Sequence, residues 1–262
     1  MRTEGIPRIG HTDIAGDLGG RVTSRLAERN VEVTADLDDV ETLFLVPVHE
    51  RVDRVAVQVA VVDCAVAAGV RHIIYASFLN TSPTATFTLS RDHYATEQHI
   101  RASGAAFTFL RASAYLEVAH YLLGADDVIR GPAGTGRVAF VGKDDMADVA
   151  VTVLVDPSAH VGATYNLTGP TAVSLYELAE AFTRTAGRPI AYVEETVEEA
   201  YASRAHFGMP GWQFEAWVST YLQIAAGELD LVTDDVDRIL GHAPESLEHY
   251  LAEHAEVLAR PS

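Results

Sequence analysis

His93 and Glu97 stand four residues apart in the stretch SRDHYATEQHIRA (90–102), a spacing that sets both on one face of a helix. A carboxylate there could orient an imidazole, and an imidazole titrating near neutrality could serve as general acid or base. The plain alternative is a surface ion pair, on a helix that also carries Arg91, Asp92, His99 and Arg101. Ser77 closes the apolar run HIIYASF (72–78), with Phe78 beside it; its hydroxyl could donate to a substrate carbonyl or merely cap a turn. Tyr115 and Glu117 follow the run AFTFLR (106–111). The phenol could donate a hydrogen bond to an enol or phenolate oxygen, or it could simply pack. His93, Ser77 and Tyr115 are therefore the candidate catalytic residues. Candidates for contacting a substrate are His49, Glu117, Phe78, Trp212 and Phe207. The aromatics Phe207, Trp212, Phe214 and Trp217 stand at helical spacing, which suits a pocket roof or an ordinary core. No His/Cys/Asp cluster has ligand spacing, so no metal site is expected. The absence of a G-x-S-x-G turn argues against a hydrolase triad.

The elements that would position these residues alternate in type. Apolar runs at 42–47, 72–78 and 106–111 read as buried strands. Between them the pattern predicts helices over 52–68, ending at Gly69, and over 91–102, capped by Ser90 and stopped before Gly104. Strand–helix alternation with short connections predicts a parallel sheet covered on both faces. The serine at the end of one strand and the tyrosine beyond another would then share the carboxyl edge, where such sheets bind ligands. Past residue 115 the rhythm changes. A Gly-punctuated strand is expected over 131–141 and a helix over 144–155, with Asp144 and Asp145 as its N-cap. A strand from Thr164, a helix over 174–186 capped by Ser174, a strand after Pro189 and a mostly helical tail follow, with Ser246 as a last N-cap.

Composition narrows the function classes. The chain of 262 residues carries 37 acidic and 19 basic side chains, a formal charge of −18. Such a surface repels a phosphate backbone, so nucleic acid is not an expected partner. No apolar run is long enough for a bilayer span, and residues 1–10 lack the apolar centre of a signal peptide. The single cysteine, Cys64, cannot form an internal disulfide and sits in an apolar run, which predicts a buried inert thiol and a cytoplasmic protein. A small molecule is the expected partner, with a homo-oligomer an open option if a second subunit covers the shortened sheet edge.

Five stretches in order resemble the NmrA-like branch of the atypical short-chain dehydrogenases/reductases: GDLGGRV (16–22), AAGVRHIIYASFLN (67–80), FTLSRDHYATEQHIRASGAAFTFLR (87–111), GRVAFVGKDDMADVA (136–150) and TYNLTGP (164–170). The resemblance implies a Rossmann-like domain, an NAD(P) site at the first turn with Gly16 and Gly19, and a cleft under the C-terminal part. It also places Asp36 and Leu37 where family members touch adenine, and His49 beside the nicotinamide. The expected fold is α/β. Residues 1–115 form a Rossmann-like parallel sheet with helices on both faces, shortened at its N-terminal end. Residues 116–262 form a smaller C-terminal α/β substrate lobe, mostly helical, packed on the first as one unit.

Three departures from the family pattern shape the functional expectation. Asp13 stands where the first glycine of G-x-x-G-x-x-G belongs, and IPRIGHT (6–12) is a thin strand that is short, at an edge, or absent. Only about a dozen residues, 30–41, separate the first helix from the strand at 42–47, room for one strand where the family has two strands and two helices. Leu89 and His93 fall where the wider superfamily has a tyrosine and a lysine. These features favour a degenerate dinucleotide site with no cofactor and a redox-neutral cyclisation, isomerisation or elimination on a small apolar metabolite. The alternatives are an NAD(P)H-dependent reductase of a carbonyl or quinone and a non-catalytic ligand-binding regulator.

Overall fold

The computed structural model describes residues 8–259. Six parallel strands form one sheet in the order β2-β1-β3-β4-β5-β8. They are β1 (Arg8–His11), β2 (Glu32–Thr34), β3 (Thr42–Leu45), β4 (His72–Phe78), β5 (Ala106–Ala112) and β8 (Thr164–Leu167). Alternate residues of β4 enter opposite cores: Ile74 and Ala76 one, Ile73 and Tyr75 the other. That two-sided burial explains why these strands read as unbroken apolar runs. On the first face lie α1 (Asp17–Glu28) and α4 (Lys143–Val155), which bury Leu18, Val22 and Leu26 against Val149 and Val153. On the second lie α2 (Arg54–Ala67) and α3 (Thr88–Ala102), with Val62, Ala65 and Ile100 against Leu43 and Phe109.

The order reverses at β1, because the chain passes to β2 on one side and to β3 on the other. β1 is short, as expected, but it lies inside the sheet and not at an edge; Ile6 and Pro7 lie outside the described residues. The gap after α1 holds one strand. β2 pairs directly with β1, Gly10 opposite Thr34, and makes the edge. On the α2 face of this end, the segment 35–41 supplies the cover that a helix would give. Leu37 and Val40 lean onto Gly10, where an added Cβ would stand 3.0–3.2 Å from Val40, Leu37 and Leu43. Gly10 thus admits a loop in place of a helix.

The remaining strands are β6 (Val128–Gly131), paired in parallel with β10 (Ala191–Glu194), and β7 (Arg137–Val138), antiparallel to β9 (Val173–Ser174). They pack with α5 (Leu175–Ala186), α7 (Gly211–Ala225) and α9 (Leu247–Glu253) around a third core containing Leu178, Phe182, Tyr221 and Leu251. α6 (Val197–Arg204) flanks β6, and α8 (Asp235–Leu240) returns to α4. A division at residue 115 therefore does not hold for β8, α4 and α8, which complete the main sheet and its first face. The strand expected over 131–141 is two short strands joined by a turn. α5 has its Ser174 cap, reciprocated by Glu177, and Ser246 caps α9. Two expected caps fail because their helices start earlier: Ser90 is buried within the first turn of α3, and Asp144 and Asp145 sit inside α4 behind Gly142. No helix among the described residues is long and apolar enough to cross a membrane.

Candidate active site

At the switch point, β1 runs into the turn 12–16 and then α1. Gly16 is the N-cap of α1, and no side chain hydrogen-bonds the first amides of the helix. The Asp13 carboxylate folds over Gly16 without capping the helix, and its backbone lies outside the left-handed region, so the turn closes without a glycine there. Gly19 is required, because a Cβ would fall on the Asp13 carbonyl. His11 locks the turn by accepting a hydrogen bond from the Asp13 amide at Nδ1, 3.0 Å. Burial holds its pKa down to about 4, and its Nε2 is buried without a partner among the described residues.

A cavity of about 500 Å³ opens beside this turn. His11, Thr12, Ala35 and Leu37 form one wall, and α2 the other through Val57, Ala60, Val61 and Cys64. Cys64 is therefore exposed and not buried, because no helix among the described residues covers the outer face of α2. Leu37 does double duty, packing into the core below the cavity while lining it, and Asp36 is exposed at its rim.

His93 is not a cleft residue. It is buried between α2, β4 and α3, and its hydrogen bonds run in one sense. Arg54 donates to Nε2 at 3.2 Å, which leaves the proton on Nδ1 to face the Tyr75 hydroxyl at 2.9 Å. Tyr75 donates to Gln58, Gln58 to Thr96, and Thr96 to the Asp92 carbonyl. Burial, with the Arg54 charge, holds the imidazole well below its ordinary pKa, so both nitrogens are committed in the neutral state. Arg54 also donates to the Val48 carbonyl, 3.0 Å, and so anchors the loop that carries exposed His49 and Glu50. Glu97 does not orient His93. It is fully buried, accepts from Ser77 at 2.6 Å and takes a two-point ion pair from Arg111. Ser77 is thereby engaged as well.

Tyr115 sits beyond β5, bridged to Val141, with the Lys143 ammonium 5.7 Å from its ring. Lys143 also pairs with Asp17 in the first turn of α1, which brings Tyr115 next to the turn 12–16. Its hydroxyl makes no hydrogen bond among the described residues, and burial raises its pKa. Glu117 turns the other way, accepting from the Lys143 amide at 2.8 Å, and burial raises its pKa too. Phe78 is half-buried against Phe87 and His93. Glu50 faces Met209, Gln213 and Trp217 across a cavity of about 240 Å³. Trp217 also lines a second cavity of about 510 Å³, with Phe207, His206, Tyr121 and Arg204. Of the expected aromatics, Phe207 and Trp217 thus meet at a cavity, their rings 5.2 Å apart and tilted by 57°; Trp212 is half-buried in α7 and lines none of these cavities. The sequence reading missed His11, Arg54, Lys143 and the α2 wall. His11 alone had a signal, its place just ahead of the turn.

The NmrA-like family model matches residues 14–251. The chain belongs to the NmrA-like family. An NAD(P)H azoreductase of Xenophilus azovorans is 30% identical over 209 residues, 78% of this chain and 72% of that protein. Quinone oxidoreductase 2 of Escherichia coli is 28% identical over 233 residues, 86% and 80% of the two chains. The crystal structure of an Escherichia coli NADPH-dependent quinone oxidoreductase in complex with NADPH superposes with a TM-score of 0.82 at 25% identity, covering 94% of this chain and 99% of that one. NmrA, a negative transcriptional regulator, shares the fold with a TM-score of 0.71 at 14% identity. These relatives overturn the expectation of no cofactor: one is named an NAD(P)H azoreductase, and the quinone oxidoreductase structure holds NADPH. They equally favour reduction over a redox-neutral cyclisation, isomerisation or elimination. The residues present fit such a group: no side chain hydrogen-bonds the first amides of α1, Gly19 keeps the turn free of a side chain, and an apolar cavity opens beside the turn at His11 and Thr12.

Proposed function

We propose that this protein is an NAD(P)H-dependent reductase of a small, conjugated, largely apolar acceptor of the quinone or azo class. The observation that carries the reading is the uncapped N-terminus of α1 at the point where the strand order reverses, where oriented amides favour an anion. A reduced nicotinamide bound there supplies a hydride. The chain's own contribution is placement. The α1 amides hold a pyrophosphate, the α2-lined cavity takes the adenosine, and the loop anchored by Arg54 sets the acceptor side against α7. The cavity around Trp217 and Phe207 supplies aromatic surface for a conjugated acceptor.

Tyr115 is the group we assign to hydrogen-bond the acceptor oxygen or nitrogen, because its hydroxyl is unengaged and stays protonated at neutral pH. Ser77 and His93 act as positioning residues, since their polar atoms are held by Glu97, Arg54 and Tyr75. The test is loss of reduced-nicotinamide absorbance with a soluble benzoquinone and with an azo dye. Turnover is expected, and Tyr115→Phe should lower kcat about tenfold or more with a small change in KM. Saturable nucleotide binding without turnover of either acceptor class would instead favour a regulator.

A further inference from the structure

We infer that the cavities at α7 select an acceptor carrying a cationic substituent, such as a substituted ammonium group, and that Glu50 is the selecting residue; the inference rests on the reductase reading above for the presence of an acceptor. Glu50 lines the cavity of about 240 Å³ with Met209, Gln213, Ala216, Trp217 and Thr220, residues of α7 and of the turn before it. Its loop is fixed from the core side: buried Arg54 donates to the Val48 carbonyl, 3.0 Å, two residues ahead of Glu50. The Glu50 carboxylate itself has no hydrogen bond or ion pair among the described residues. Its neighbour Arg51 pairs with Asp53 instead.

The balance of charge sets the sign of the substituent. Trp217 lines both this cavity and the larger one of about 510 Å³, so the two meet at one side chain. An acceptor with two rings joined through a conjugated link, as in the azo class, has the shape to occupy both. The cations of the larger cavity are already neutralised. Arg130 makes a two-point ion pair with Asp126, 2.6 and 2.9 Å. Arg204, 5% exposed, donates to Glu195 at 2.8 Å and to the Arg130 carbonyl at 2.6 Å, with the Trp217 and Tyr221 rings against it. Of the carboxylate, Lys and Arg side chains lining the two cavities, Glu50 alone has no counter-charge among the described residues.

The surroundings of Glu50 suit an organic cation. The Gln213 side chain is also without a hydrogen bond among the described residues, and Met209 and Trp217 offer apolar contact to the carbons around a charged nitrogen. An ammonium about 4 Å from a carboxylate gains a factor of about five in binding when fully hydrated, and more where the ligand displaces water. A sulfonate in that place loses a comparable factor.

Three azobenzenes that differ in one para substituent test this: trimethylammonium, its neutral isostere tert-butyl, and sulfonate. They are compared as substrates of the wild type, of Glu50→Gln and of Glu180→Gln, which removes an exposed carboxylate of α5 that lines neither cavity. The readout is the ratio of kcat/KM for the ammonium dye to that for the tert-butyl dye. We expect a ratio of at least about five in the wild type, carried by KM, and near one in Glu50→Gln. Glu180→Gln should keep the wild-type ratio. An equal fall in both variants would assign the preference to the net charge of −18 and overturn the role of Glu50. A wild-type ratio near one, a preference for the sulfonate, or a ratio untouched by Glu50→Gln would overturn the inference and leave the reductase reading standing. Reduction of a benzoquinone but of none of the dyes would do the same. If no acceptor of either class is reduced, the reductase reading falls and this inference with it.

Discussion

His11 holds the turn through Nδ1 and keeps its ring buried, so protonation would put a charge where burial outweighs the help of the Gly19 backbone. Its pKa is about 4 in the folded protein against 6.5 when unfolded. The unfolded chain takes up a proton as pH falls through 6.5, while the folded one resists until about 4. The stability contributed by a neutral His11 is thus fully present above 6.5 and lost as pH falls toward 4. The loss is at most about 3 kcal/mol. Glu117, Asp145 and Glu245, whose pKa values burial raises, act in the opposite sense, so His11→Asn is the proper reference. Urea unfolding of both proteins across this range should show the wild type losing stability relative to the variant as pH falls. A constant difference would mean that His11 is solvated. At this scale the sequence offered spacing without partners. His93 and Glu97 were visible as an i, i+4 pair, yet Arg54, Tyr75 and Arg111, which claim them, come from other elements.

Elements explain why a lone thiol became part of a cavity wall. α2 is apolar around much of its circumference, as suits a helix between a sheet and a neighbouring helix. With only residues 35–41 beside it, one flank, Val57, Val61 and Cys64, remains as the wall of a cavity. Cys64 should therefore react with a disulfide reagent in the native protein at close to the rate of an exposed thiol. Saturating NADH should slow that reaction by about tenfold or more if the adenosine fills the cavity. Labelling unaffected by bound NADH would move the adenosine elsewhere. The missing helix was legible as a deficit of chain length, because a dozen residues cannot hold four elements. The loop's replacement packing was not legible, since it depends on Gly10 leaving room for Leu37 and Val40. Local signals fared similarly: the Ser174–Glu177 box could be seen from four residues, whereas the start of α3 ahead of Ser90 could not.

Across the whole molecule the parallel sheet followed from alternation and short connections, but periodicity carries no address for a strand's neighbour. The return of β8 and α4 to the first sheet was therefore invisible, and with it the arrival of Lys143 beside α1. That arrival bears on how an anionic dinucleotide approaches a chain of charge −18. The cations near the α1 turn do not form a free attractive patch. Lys143 and Arg21 pair with Asp17, Arg21 and Arg25 with Asp144, and Arg25 with Asp148. Beyond contact distance the approaching ligand meets the net field, which repels it. Raising ionic strength from about 0.01 to 0.1 M shortens the screening length from about 30 to 10 Å. The association rate of NADH, followed by stopped-flow fluorescence, should then rise several-fold, opposite to the slope of a protein that binds polyanions. The dissociation rate should change less, because the contacts made by the helix amides are short-ranged. An association rate that falls with salt would show that the ion-paired cluster at α1 opens to guide the ligand, and would make Lys143 and Arg21 part of the route into the site.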